Sequence, residues 1–225
     1  MLISLLTRVR DARLIWDVMG SVYNRHIYDA IAELYEHIAQ EMQIEIPSRI
    51  LDVGAGRGYV SLLLADRNPQ AAVDGIDFSP MQVRAAHRLC RQRNIVNCRF
   101  HRADATKIPF PEGSFDAAVS VGSIKHWPNG RQGLREIFRV LKPGGRVIIS
   151  ETDRGASDDD LWVFVRRFHL WLIPDTLLFW GLRHVVFGQS YTQEELEDAV
   201  RSAGFGDMVG QRVPACPYTI VKAQK

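Results

Sequence analysis

Cysteine is scarce in this chain: three in 225 residues, at Cys90, Cys98 and Cys216. They are widely spaced and odd in number, so they suggest neither a zinc-ligand pairing nor a disulfide framework. Reduced thiols in a cytoplasmic protein are the expectation. An excess of one charge is also lacking. Lys and Arg total 28 against 26 Asp and Glu, a formal net charge of +2, too small to imply an electrostatic nucleic-acid binder. No uninterrupted apolar run is long enough to span a bilayer. The apolar stretch of "MLISLLTRVRDAR" precedes its arginines, the reverse of a secretory signal. Internal repeats, low-complexity segments and flexible linkers are missing as well. The expectation is an intracellular protein, not transmembrane, with 1–225 as one domain large enough for a sizeable core.

What is present alternates between two periodicities. Ile27, Ile31, Leu34, Ile38 and Met42 recur at spacings of three and four, which predicts an amphipathic helix over about 27–42, ended near Pro47. "RILDV" (Arg49–Val53) is a short apolar run before a glycine loop, the pattern of a buried strand. "VSLLLADR" follows as a helix. Strands are expected at Ala71–Asp77, Asn97–Asp104, Phe115–Gly122 and Arg146–Thr152. A helix after Ser79 has a clear start, with Ser79 as cap, Pro80 at the first helical position and Gln82 three residues after the cap. The helix over Gly133–Leu141 stops at "KPGG", expected to be a turn. Five alternations predict an α/β fold: a doubly wound, mostly parallel sheet covered on both faces. Residues 1–48 form an N-terminal helical cap in this reading, 49–154 the core and 155–190 an aromatic helical insert. Residues 191–225 complete the core with a helix begun by a Thr192/Glu195 capping box, then an antiparallel hairpin.

The loop "GAGRG" places Gly54, Gly56 and Gly58 directly after the first strand. Such a turn lets backbone approach a ligand without a Cβ in the way, although a tight turn without a ligand uses glycine too. Asp77 ends the second strand about 20 residues on, where a carboxylate in this architecture accepts hydrogen bonds from ribose hydroxyls. It is equally placed to favour the start of the helix that follows. The dinucleotide fingerprint has its third glycine one residue later than here, and Asp52 lies two residues before the first glycine. A pyrophosphate disfavours a neighbouring carboxylate; a ligand with an ammonium and a sulfonium tolerates or uses one.

"LDVGAGRG", "GIDFSP", "RADATKIPFPEGSFDAAVS" and "VLKPGG", in this order and spacing, resemble class I S-adenosylmethionine-dependent methyltransferases. The small-molecule branch with the C-methyltransferases of ubiquinone and menaquinone biosynthesis is the most similar in flavour. The match covers roughly Arg49–Thr152. The resemblance implies S-adenosylmethionine as cofactor, with Gly54, Gly56 and Gly58 under its methionine and ribose part and Asp52 orienting its amino end. It implies Asp77 on the ribose hydroxyls and Phe78 near the adenine. It also implies Asp104 accepting from the adenine amino group, the backbone of Ala105 meeting the ring, and Tyr23 touching cofactor or substrate from the N-terminal segment. Tyr28 is expected to pack instead.

The sulfonium already activates the methyl group, so a general base is needed only where the acceptor carries a proton when it attacks. "SVGSIKHWPNG" follows the fourth strand, and His126 is the base candidate, with an unperturbed pKa near 6.5. His126 and Trp127 packing the loop onto the sheet is an equal alternative. Lys125 either contacts an acidic substrate or, as the first expectation, is solvated, and Glu151 and Asp153 are either carboxylates that orient or deprotonate an acceptor or surface groups. Trp162, Phe164, Phe168, Trp171, Phe179, Trp180 and Phe187 crowd the insert. They read as an apolar lid over an apolar acceptor, as a membrane or homodimer contact, or as an extra helical layer. No metal site, no asparagine-proline-proline-aromatic motif and no basic extension stands out, which argues against nucleic acid as substrate. The expected activity is methyl transfer to a small apolar molecule. A nicotinamide-dependent oxidoreductase and a non-catalytic nucleoside-binding scaffold are the rivals.

Overall fold

The computed structural model describes residues 28, 30–44, 48–168, 173–188 and 190–225. Helix α1 covers residues 30–41, with Ala30, Ile31, Leu34 and Ile38 buried along one stripe. Then come β1 (Arg49–Val53), α2 (Tyr59–Arg67), β2 (Ala72–Asp77), α3 (Pro80–Gln92), β3 (Cys98–Arg102) and β4 (Phe115–Val121). A short 3-10 turn (Ile124–His126) leads to α4 (Gly130–Val140) and β5 (Leu141–Thr152). The insert holds α5 (Asp158–Phe168), α6 (Asp175–Gly181) and a π-helical turn (Leu182–Phe187). Helix α7 (Gln193–Ser202) and strands β6 (Gly206–Arg212) and β7 (Tyr218–Gln224) close the chain.

The seven strands form one sheet in the order β3-β2-β1-β4-β5-β7-β6. The first five are parallel, and β7 runs antiparallel between β5 and β6. This is the doubly wound sheet with a C-terminal antiparallel hairpin that the alternation predicts. Side chains alternate between its faces with the period of a strand. Ile50, Ala117 and Ile148 face the layer containing α1, α2, α3 and α5. Leu51, Ala118 and Ile149 face the layer of α4 and α7.

The local start signals are present as hydrogen bonds. Ser79 Oγ accepts from Gln82 N at 3.3 Å, and Thr192 and Glu195 form a reciprocal capping box. Helix α4 begins three residues earlier than expected because Asn129 caps it, its Oδ1 accepting from Gln132 N at 3.0 Å. "KPGG" is not a separate turn before β5. The strand starts at Leu141, and the four residues Lys142–Gly145 are taken up in a register shift between the pairs Phe115↔Leu141 and Ala117↔Arg146. Two of the insert aromatics are core: Phe164 and Phe187 are fully buried with Leu161 and Val165. Trp162 stacks on Phe179 with ring centroids 4.5 Å apart, whereas Trp180 stays exposed. Tyr23, Trp171 and the side chain of Phe168 lie outside the described residues.

Candidate functional site

Strand order reverses between β1 and β4, and in open α/β sheets ligands bind beyond the strand carboxyl ends at such a switch point. A cavity of about 140 Å³ opens there, lined by Asp52, Gly54, Gly56, Asp77, His126 and Trp127 among others. A second, of about 210 Å³, adjoins it and is lined by Phe78, Ala103, Asp104, Ala105 and Pro128. The two share Gly54, Asp77, Phe78, His126 and Trp127 in their walls.

The three loop glycines all have left-handed backbones, with φ of 77°, 55° and 82°, but they make room for different things. A Cβ on Gly54 would lie 2.4 Å from Ser123 Cβ, in the loop after β4; one on Gly58 would lie 2.5 Å from the Phe100 ring. A Cβ on Gly56 would meet nothing within 4 Å. Two glycines therefore admit other parts of the protein, and the middle one borders open space.

Asp77 holds this loop in shape. Its Oδ2 accepts from Gly56 N at 2.9 Å and its Oδ1 from Ser79 N at 2.8 Å. A carboxylate accepts about four hydrogen bonds, so bracing the loop and receiving a ligand's hydroxyls are compatible. Asp52 is buried at the end of β1, where Ser61 Oγ donates to its Oδ2 at 2.6 Å. Burial pushes its pKa up to about 7; the Ser61 bond opposes this and the nearby Asp77 charge adds to it. Among the described residues no cationic side chain is paired with the carboxylate, yet it lines the cavity. Phe78 is exposed in the walls of both cavities, Ala105 is buried beside the second, and Asp104 Oδ1 is engaged by Thr106 N and Thr106 Oγ1, each at 2.8 Å.

His126 is half-buried on the wall shared by both cavities. Trp127 beside it packs closely on α4, where a Cβ on Gly133 would lie 2.3 Å from the indole. Tyr28 packs as expected, against Tyr59 with centroids 4.3 Å apart.

Lys125 differs from the expectation of a solvated lysine. Its side chain is 3% exposed, and Nζ donates to Glu151 Oε1 at 2.6 Å and to Gly122 O at 2.7 Å. Glu151 is fully buried, not a surface group. Burial alone would raise its pKa, but the Lys125 ammonium and hydrogen bond, with Thr152 N, hold it below the usual carboxylate range. Asp153 is buried too and is held by a side chain and a backbone group: Arg212 Nε and Gly155 N donate to it at 2.8 and 2.7 Å. Lys125 and Glu151 end up together because β4 and β5 are parallel neighbours, so the loop after β4 meets the carboxyl end of β5. Opposite charges at those two positions were the available signal. Sequence reasoning missed Tyr218, which faces Thr152 across the β5/β7 ladder and lines the cavity; the hairpin register was the only pointer to it.

Comparison with known proteins agrees with this geometry. Residues 50–145 match the family described as the methyltransferase domain. This core is similar to class I S-adenosylmethionine-dependent methyltransferase domains. The chain is 40% identical over 105 residues to a demethylmenaquinone methyltransferase of Thermus thermophilus, a match that covers 47% of each chain. It is 28% identical to a Geobacillus enzyme of the same name over 86% of this chain and 84% of that one. The chain spans about half the length of the first curated relatives it matches. A solved structure named as the [4+2]-cyclase SpnF superposes with a TM-score of 0.68 at 22% identity, covering 86% of this chain and 81% of that one; that likeness is one of fold.

The cavity has room and polar groups that S-adenosylmethionine would need. Open space borders Gly56, Asp77 lines the cavity, and among the described residues no cationic side chain neutralises the buried Asp52 carboxylate.

Proposed function

We propose that the chain transfers a methyl group from S-adenosylmethionine to a small, apolar organic acceptor. The observation that carries this reading is one cavity, at the switch point of a methyltransferase sheet, on which Gly56, Asp77, Asp52 and His126 converge. When bound, the cofactor supplies a methyl group activated by positive sulfur. Asp52 receives its ammonium and Asp77 its ribose hydroxyls. Phe78, Asp104 and Ala105 flank the adenine in the second cavity. His126 takes the acceptor's proton where the acceptor has one to lose. Ile31, Tyr35, Val121 and Val186 give the cavity an apolar wall, which suits an apolar acceptor and helps to exclude water from the transfer. The relatives named for demethylmenaquinone support the same class.

The same reading takes 1–225 as one functional unit in the cytoplasm, consistent with three unpaired, buried thiols. No described helix is long and apolar enough to cross a membrane. Ile173, Leu177 and Trp180 are exposed on the insert and support a contact there, with a second copy or a membrane surface.

Calorimetry with S-adenosylhomocysteine on the wild type and Asp77→Asn tests the site. The wild type binds, and the variant binds about 10- to 100-fold more weakly, because a hydrogen bond to a charged acceptor contributes about 1.5–3 kcal/mol. A wild type that does not bind this compound defeats the reading; equal affinities remove Asp77 from its role. Transfer of a labelled methyl group to a demethylated naphthoquinol then tests the acceptor class.

A further inference from the structure

We propose that Lys125 is the acceptor's oxygen-binding residue, so that the acceptor is an apolar molecule carrying an ionisable hydroxyl that docks on the Lys125 ammonium. This rests on the methyltransferase reading and extends it to the chemistry of the acceptor. An ammonium has three N–H donors. Two are taken, by Glu151 Oε1 and Gly122 O. The third has no acceptor among the described residues, and Lys125 lines the cavity.

The placement of charge gives this donor its effect. Glu151 is fully buried and does not line the cavity; Lys125 does. The ion pair is therefore a dipole whose positive end faces the acceptor space. A buried ion pair costs desolvation unless its remaining protons are satisfied, so the unmatched N–H favours an incoming oxygen. A cation next to a hydroxyl also favours its ionised form, and an ionised hydroxyl enriches the acceptor in electrons. Glu151 also fixes the turn that bears the lysine: its Oε2 accepts from Lys125 N at 3.3 Å. The Ile31, Tyr35 and Val186 side of the cavity leaves few places for a second polar group.

The test uses 1-naphthol and naphthalene as probes on protein saturated with S-adenosylhomocysteine. Wild type is expected to bind naphthol at least about 10-fold more tightly than naphthalene, as for one hydrogen bond to a charged group, and the bound naphthol is expected to ionise at lower pH than free naphthol. Lys125→Met alone strands the buried Glu151 charge, so the variant of choice is K125M/E151Q, which removes both. In it the preference and the ionisation shift disappear while S-adenosylhomocysteine still binds. A double variant that keeps both overturns the proposal. So does wild type with no preference and no shift, a result that needs no variant to fold. Failure of wild type to bind S-adenosylhomocysteine instead defeats the parent reading.

Discussion

Replacing Asp52 with Asn asks what a buried carboxylate costs the fold and gives the site. The side chains are nearly the same shape, and Asn Oδ1 can still accept the Ser61 hydroxyl. The folded pKa is about 7 against a reference of 3.8, raised first by burial. A carboxylate whose folded pKa is raised binds protons more tightly when folded, so stability falls as pH rises from about 3.8 to about 7 and is flat above. Linkage puts the loss at roughly 4 kcal/mol at pH 8, about 2 kcal/mol at pH 5 and close to nothing at pH 3. D52N escapes it. Urea unfolding of both proteins without ligand should show the variant more stable at pH 8, with the advantage shrinking towards pH 5. The site should pay in the opposite direction. A ligand ammonium favours the ionised carboxylate, so S-adenosylhomocysteine binding to wild type should release a proton near neutrality and weaken below pH 7. D52N should bind weakly with neither effect. A stability difference that does not change with pH would falsify the assignment of the raised pKa, and equal ligand affinity would separate Asp52 from the ammonium.

Four further substitutions separate fold from site. Gly54→Ala drives a Cβ into Ser123 and adopts a left-handed backbone, so it should cost about 3 kcal/mol in chemical denaturation. Gly56→Ala meets no atom within 4 Å and should cost only about 1 kcal/mol of backbone strain, yet it should weaken S-adenosylhomocysteine binding in calorimetry; the reverse order of stabilities would refute the division of labour in the loop. His126→Gln should lower turnover by about 100-fold, as for loss of a general base, with cofactor affinity unchanged; equal turnover would leave His126 a packing residue. Thr192→Ala removes the capping hydroxyl of α7 and should lower stability by about 1 kcal/mol without changing ligand affinity.

Most of the fold is local and was legible for that reason. Strand and helix periods, the Ser79 cap and the Thr192/Glu195 box are read within a few residues of one another, and all are present. The glycine loop and Asp77 were legible because their spacing is set by one strand, one turn and one helix. The misreadings are long-range. Lys125 was read as solvated because its partner is 26 residues away on another strand. "KPGG" was read as a turn because strand pairing, which absorbs it as a register shift, is invisible locally. The insert aromatics split between core and surface according to which faces of α5, α6 and the π-helical turn meet the sheet, and composition alone does not set that.

The two buried carboxylates of the site show what a long-range reading adds. Asp52 ends β1 and Glu151 lies near the end of β5, on the same rim of the sheet, and burial opposes the charge of both. Glu151 is ionised all the same because Lys125 lies 2.6 Å away. Among the described residues Asp52 has a serine hydroxyl and the repulsion of Asp77. The protein neutralises one acid from within and leaves the other exposed to whatever fills the cavity. A buried acid without an internal counter-charge destabilises the empty protein, and that cost is recovered when a cationic ligand arrives. The polarity of the site follows: a receiver for positive charge under the glycine loop at Asp52, and across the cavity a donor at Lys125 for a partner of the opposite sign. A methyl donor with an ammonium and a sulfonium suits the first, and an acceptor that reacts through an ionised hydroxyl suits the second.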